Sequence, residues 1–244
     1  MLNNIKNSVY TLLEKEDSGH GFDHVIRVYN LALKFAEIEG ADKYTVGIAA
    51  LLHDVDDYKL VGVLEAENLS NAKMIMNNNS VPLDIQSKIL NIINTMGYSK
   101  LLKGIRPQSL EGMVVSDADM CDAIGATGII RSILYTASSK GNGIVFDKNI
   151  LPNINITAEE YNNQGTTYDT DNAINHFFEK LLKLNNLMMT SSGKNESCLR
   201  QKIMIDFLYQ FFREENALEW SKFLDDYLVE LNDKSLVRSY TKNV

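Results

Sequence analysis

The chain has few of the residues that break, cross-link or target a polypeptide. Three prolines in 244 residues, with no long polar low-complexity run, argue against two domains on a flexible linker. Two cysteines, Cys121 and Cys198, fit no metal-ligand spacing and need no disulfide framework, so they read as free thiols of a reducing compartment. No apolar run is long enough to cross a membrane. The amphipathic opening "MLNNIKNSVYTLLEKE" has neither the basic leader nor the continuous apolar core of a signal peptide, so a cytoplasmic protein with no membrane partner is expected. Basic residues are in the minority, with 24 Lys and Arg against 32 Asp and Glu and a net charge of −8. That balance excludes general nucleic-acid binding, and an anionic substrate would need a metal or a local cluster of cations.

What the chain does have is helical periodicity. With 45% hydrophobic residues it can bury the core of one large domain. Apolar positions recur at helical spacing in Val25, Val28, Leu31, Ala32, Phe35 and Ala36, and again in Ile203, Phe207, Leu208, Phe211 and Phe212. Strand-like alternation is scarce. The pattern predicts an all-α fold with helices near 2–15, 22–39, 43–56, 63–78, 82–96, 117–137, 170–190 and 196–232, with Gly40 and Pro82 at a stop and a start. Residues 138–169, rich in Gly, Asn, Ser and Thr, form the exception: a long irregular loop, or a hairpin insertion with "GIVFD" as one arm. One domain over residues 1–236 and a tail at 237–244 are expected.

Four histidines occur in the chain. His20 and His24 stand in "DSGHGFDHVIRVYNLALKFA", and His53 ends the apolar run of "AALLHDVDDYKL". A carboxylate placed like Asp54, at the end of a buried-looking helix, loses hydration unless it is paired or bound to a cation. Neutral imidazole and carboxylate are ordinary ligands of a divalent metal, but one doublet cannot fill a coordination sphere. A second acidic group, Asp117, Asp119 and Asp122, lies among apolar residues in "GMVVSDADMCDAIGATGIIRS". A helix start with Ser116 and Asp119 as a capping box would account for Asp117 and Asp119, and less well for Asp122.

Together, His24, the His53–Asp54 doublet and a later Asp resemble the H…HD…D signature of the HD-domain metal-dependent phosphohydrolase superfamily. The segment "SDADMCDAIGATGIIRS" is similar to the DADRLDAIGAIGIAR stretch of a small bacterial branch, and "NTMGYSK", "SLEG" and "INHFFEKLLKL" follow its order. The resemblance spans about residues 16 to 215. It implies a single HD-type helical bundle and four metal ligands, His24, His53, Asp54 and Asp119, with Asp117 and Asp122 behind them. The implied cofactor is a divalent cation, Mn²⁺ in the first place, with Fe²⁺, Ni²⁺, Co²⁺, Mg²⁺ or Zn²⁺ as alternatives.

Asp57, one turn after His53 if the helix continues, is the candidate for orienting the attacking water. His20, four residues before His24, is the candidate for approaching a leaving-group or phosphate oxygen. Lys59 and Arg131 are candidate phosphate partners. The reaction implied is hydrolysis of a phosphorylated small molecule, most concretely a (deoxy)nucleoside triphosphate cut to monophosphate and pyrophosphate by a metal-activated water. The alternatives are a cyclic or hyperphosphorylated nucleotide as substrate, or a catalytically silent metal- or nucleotide-binding regulator. A homo-oligomer is compatible with the sequence. One departure stands out: "INTMGYS" puts Met96 where relatives often carry a histidine, and a thioether neither ligates a hard cation well nor does acid-base work.

Overall fold

The computed structural model describes residues 2–14, 21–138, 141, 143–163 and 172–231, without the side chains of residues 58, 59, 63, 162 and 163. Its helices are α1 (Leu2–Leu13), α2 (Phe22–Glu39), α3 (Lys43–Leu52), α4 (Tyr58–Val61), α5 (Val63–Asn68), α6 (Ser70–Asn78), α7 (Leu83–Thr95), α8 (Tyr98–Leu102), α9 (Leu110–Asp122), α10 (Gly125–Ala137), α11 (Ala158–Asn163), α12 (Ala173–Glu179), α13 (Ser191–Glu214) and α14 (Leu218–Glu230). A 3₁₀ stretch, Leu181–Leu187, separates α12 from α13. No strand occurs among the described residues, so the fold is all-α. No helix among them is long and apolar enough to cross a membrane.

The chain packs as two compact units. The first comprises Met1–Asp122, Thr157–Asn163 and Met189–Gly193. Its centre is α3, which is buried on every side from Thr45 to Leu52 and packs on α1, α2, α7 and α9. Such a helix has no solvent face to stabilise it, so its ends must be well satisfied. Asp42 does this at the start: its carboxylate accepts from the backbone N–H of Tyr44 at 3.3 Å and of Thr45 at 3.0 Å, and from the Thr45 hydroxyl at 2.6 Å.

The second unit comprises Ala123–Ile156, Gln164–Met188 and Lys194–Val244. Among its described residues an aromatic core gathers around Trp220, which meets Phe146, Phe178, Phe212 and Phe223 at ring-centroid distances of 5.1 to 6.0 Å.

Several element boundaries differ from the sequence expectation for identifiable reasons. The helix expected over 117–137 starts earlier, at Leu110, and breaks at Gly125, whose φ of 79° lies in the left-handed region. Ser116 is therefore in mid-helix, and the capping-box reading of Ser116 and Asp119 is wrong. The helix expected over 43–56 stops at Leu52, so His53 and Asp54 lie in a turn. The 63–78 helix divides at Leu69, where φ is 50°, and the 196–232 helix divides near Asn216, where φ is 53°.

The hairpin version of the 138–169 insertion is not formed by the described residues. The carbonyls of Ile144 and Val145 accept instead from the N–H groups of Ala173 and Ile174 at the start of α12, donors that a helix N-terminus leaves without partners of its own.

Candidate metal centre

Three helices of the first unit bring the candidate ligands together. His24 is in the first turn of α2, His53 is the C-cap of α3, and Asp119 is near the end of α9. One ligand atom from each of His24, His53 and Asp119 lies within 4.8 Å of the others. The two imidazoles face each other Nε2 to Nε2 at 3.2 Å. Asp54 Oδ2 lies 3.3 Å from His24 Nε2 and 3.5 Å from His53 Nε2, and Asp119 Oδ1 lies 3.4 Å and 3.7 Å from the same two atoms. The imidazoles are buried, with 2% and 1% of their side chains exposed, whereas Asp54 and Asp119 keep 15% and 27%. The histidines thus form the floor of the site and the carboxylates its open side.

The other nitrogen of each ring fixes which way the lone pairs point. His53 Nδ1 lies 2.9 Å from the Ala50 carbonyl, which can only accept, so Nδ1 carries a proton and Nε2 is left to coordinate. His24 Nδ1 lies 2.7 Å from Asp122 Oδ2, with the same consequence. Arg27, one turn after His24 on α2, donates to Asp122 through Nε at 2.7 Å and Nη2 at 3.0 Å. Its pKa is raised, first by that hydrogen bonding, against the opposing effect of burial.

The electrostatics of the cluster favour a cation. Burial, the largest influence on His53, disfavours its charged form, yet the carboxylates of Asp54 and Asp119 outweigh it and raise the pKa. Burial pushes Asp119 up, but hydrogen bonds from His24 and His53 hold its carboxyl far below the usual range. The same field that favours an imidazolium would favour a divalent ion between two Nε2 lone pairs and two carboxylates. The donor set therefore fits a metal on its own chemistry.

The acids of α9 also make sense in this frame. Asp119 and Asp122 fall in its last turn, where the helix dipole disfavours negative charge, so each needs a cation or donors from elsewhere. Asp122 has Arg27 and His24. Asp119 faces the two histidines.

Asp117, fully buried two residues before Asp119, spends its carboxylate differently. It accepts from the N–H of Met189 at 3.0 Å and from the N–H and hydroxyl of Thr190 at 2.7 Å, anchoring the entry to α13. Burial raises its pKa and those hydrogen bonds only partly offset the rise. Gly193 allows this approach, because a Cβ there would lie 2.7 Å from Asp117 Cβ. Placing Asp117 behind the metal ligands was a sequence expectation, and its hydrogen bonds give it a capping task in the fold.

A cleft of about 650 Å³ opens on the cluster, lined by His53, Asp54 and Asp119 together with Asp57, Met96 and others. Asp57 reaches it from the turn before α4 and not from a continuing helix: its carbonyl accepts from the N–H groups of Leu60 and Val61 in α4. Neighbouring Asp56 is buried and accepts from the N–H groups of Asn71 and Ala72, which pins the 53–57 turn to α6. His20 and the side chain of Lys59 lie outside the described residues. Arg131 belongs to α10 in the second unit.

Three features of this site escaped the sequence reading: Arg27, whose i+3 spacing from His24 was the available signal, and Lys100 and Lys103, which line the cleft. The lysines carried no signal, since α8 was not expected as a helix at all.

An all-α unit that converges two histidines and two aspartates in this way could hold a metal ion, and comparison with known proteins gives its family. The HD domain family matches residues 21–124. YpgQ of Bacillus subtilis is 32% identical over 213 residues, covering 86% of this chain and 91% of that protein. A crystal structure from Lactobacillus plantarum is similar with 38% identity and a TM-score of 0.76, covering 88% of this chain and 97% of the other. An HD-superfamily hydrolase from Bacillus thuringiensis matches with 32% identity, a TM-score of 0.66 and the same coverage. YpgQ in complex with ADP matches with 27% identity and a TM-score of 0.65, again covering 88% and 97%. The chain belongs to the HD-domain family, in the class of HD-superfamily hydrolases.

Proposed function

We propose that this chain is a metal-dependent phosphohydrolase acting on a nucleotide, and most concretely that it converts a (deoxy)nucleoside triphosphate to monophosphate and pyrophosphate. The observation that carries the reading is the convergence of His24, His53, Asp54 and Asp119 at the base of a cleft large enough for a nucleotide. That YpgQ was crystallised with ADP supports a nucleotide over other phosphate esters.

His24, His53, Asp54 and Asp119 would hold the cation, and two nitrogen and two oxygen donors suit Mn²⁺, Fe²⁺, Co²⁺, Ni²⁺ or Zn²⁺ better than Ca²⁺. Bound there, it would polarise a phosphoryl oxygen and lower the pKa of water. The protein's own part is orientation. Asp122 and the Ala50 carbonyl keep both rings in the coordinating tautomer. Asp57, which lines the cleft, would orient the attacking water.

The test is metal analysis of the native protein, followed by a screen for phosphate and pyrophosphate release across nucleotides with native and Asp54→Ala protein. Release of pyrophosphate by the Mn²⁺-loaded native protein, lost in Asp54→Ala, is expected. Full activity in that variant, or none in the native protein, would overturn the reading.

A further inference from the structure

The cleft contains two cations that the chemistry above does not use. Lys100 on α8 and Lys103 just beyond it line the same cavity as His53, Asp54 and Asp119. Lys100 is held in place: its ammonium donates to the Asn94 carbonyl, in the last turn of α7, at 2.6 Å. An ammonium has three donors, so two remain for a ligand. Neither lysine makes an ion pair among the described residues, although acids are plentiful in this cleft and in the chain.

Three of the five acids that line the cleft are engaged with other groups. Asp56 caps α6, and Asp54 and Asp119 face the histidines. The support beneath Lys100 is firm, because buried Tyr98 on α8 meets Tyr161 of α11 edge-on at 4.9 Å. The irregular insertion thus contributes one short helix that braces the lysine-bearing segment. Ala66, Leu69, Ile93 and Met96 give the cleft an apolar stretch of wall, and Glu67, Asn94 and Ser99 line it as well.

A nucleoside triphosphate carries more negative charge than one cation at the histidine–aspartate cluster can offset, and the protein's net charge of −8 repels it. Resting on the function proposed above, we propose that Lys100 and Lys103 form an anion subsite that takes the terminal phosphates of the substrate, Lys100 as a tethered point charge and Lys103 as an exposed one. This subsite would make the length of the phosphate chain, rather than the base alone, a determinant of recognition.

The experiment titrates inorganic tripolyphosphate into metal-free full-length protein by calorimetry, comparing native with Lys100→Met, Lys103→Met and Lys100→Arg. Each methionine variant is expected to bind about tenfold more weakly, as for the loss of one charge-assisted hydrogen bond. Lys100→Arg should recover most of the affinity. In turnover, Lys100→Met should raise KM for a triphosphate more than for a diphosphate, with a much smaller change in kcat.

Tripolyphosphate binding that is indifferent to both lysines would overturn the subsite even if the native enzyme is an active hydrolase. Lysine-dependent binding in a protein that hydrolyses no nucleotide would uphold the subsite and overturn the hydrolase reading alone. Because Lys103 is exposed, its variant tests the idea even if a change at Lys100 disturbs α8.

Discussion

His24 Nδ1 and Asp122 Oδ2 stand 2.7 Å apart, and Arg27 grips the same carboxylate with two further hydrogen bonds. A carboxylate behind a coordinating imidazole fixes its tautomer and raises its basicity. Asp122→Ala should therefore weaken Mn²⁺ binding about 10- to 100-fold, measured by competition with a metal-binding dye, although Asp122 is not itself placed as a ligand. Arg27→Met, which keeps the carboxylate and removes its cation, should weaken binding less. Native affinity in Asp122→Ala would show that the His24 ring is held by packing alone.

Asp117 and Asp119, two residues apart on α9, should separate cleanly into a structural and a metal-binding role. Asp119→Ala is expected to abolish bound metal while leaving the fold intact. Asp117→Ala strands the buried N–H of Thr190, at a cost of about 1–3 kcal/mol, together with the part-buried N–H of Met189, and should lower the melting temperature while metal content is retained. Gly193→Ala should mimic that loss, since its new methyl meets the Asp117 carboxylate. Metal content by atomic emission and thermal melts on the same samples read out both roles.

The cap of α3 gives a pH dependence with a definite sign. The Thr45 hydroxyl holds Asp42 below the ordinary carboxylate pKa; burial opposes it, and the N–H groups of Thr45 and Tyr44 add to the lowering. A depressed folded-state pKa contributes stability that is present above the unfolded value of about 3.9 and is lost as pH falls through the folded one. Asp42→Ala should therefore be less stable than native by about 1 kcal/mol near neutral pH, and the gap should narrow as pH drops below about 4. Asp42→Asn, whose amide oxygen still caps, should lose much less. Denaturant melts at pH 7 and pH 3.5 compare the three proteins.

How much of this was readable in the sequence depended on whether a residue's role is local. The apolar period of α2 and the all-apolar run of α3 predicted both helices, and Gly40 ended α2 where expected, because those signals lie within one turn of the residues they concern. The helix ends around the site were not local. The α3 helix was extended to residue 56 because nothing in "HDVDD" breaks a helix. What accompanies its end is tertiary: Asp56 turns away to cap α6. Likewise Ser116 and Asp119 mimic a capping box at a distance of three residues, while the true start of α9 is six residues upstream of Ser116. The histidines and aspartates stood out as residue types in an apolar setting, but Arg27, Lys100 and Lys103 did not, since a surface-type cation acquires meaning only from what the fold places beside it.

The centre itself should be visible in the protein's stability. A ligand that binds the folded and not the unfolded chain adds RT ln(1 + [L]/Kd), about 2.7 kcal/mol at one hundred times Kd, and for a domain of 150–250 residues each 1 kcal/mol is worth about 2–4 °C. Saturating Mn²⁺ should therefore raise the melting temperature by about 5–10 °C, and a chelator should reverse the rise. Co²⁺, Ni²⁺ and Zn²⁺ should act similarly, and Ca²⁺, which prefers an all-oxygen shell, should act much less. Asp54→Ala and Asp119→Ala should lose the response. Because all four candidate ligands belong to the first of two compact units, a calorimetric scan that resolves two transitions should show only one of them moving with metal. A uniform shift of both, or a shift that persists in Asp119→Ala, would place the bound ion somewhere other than between His24 and His53.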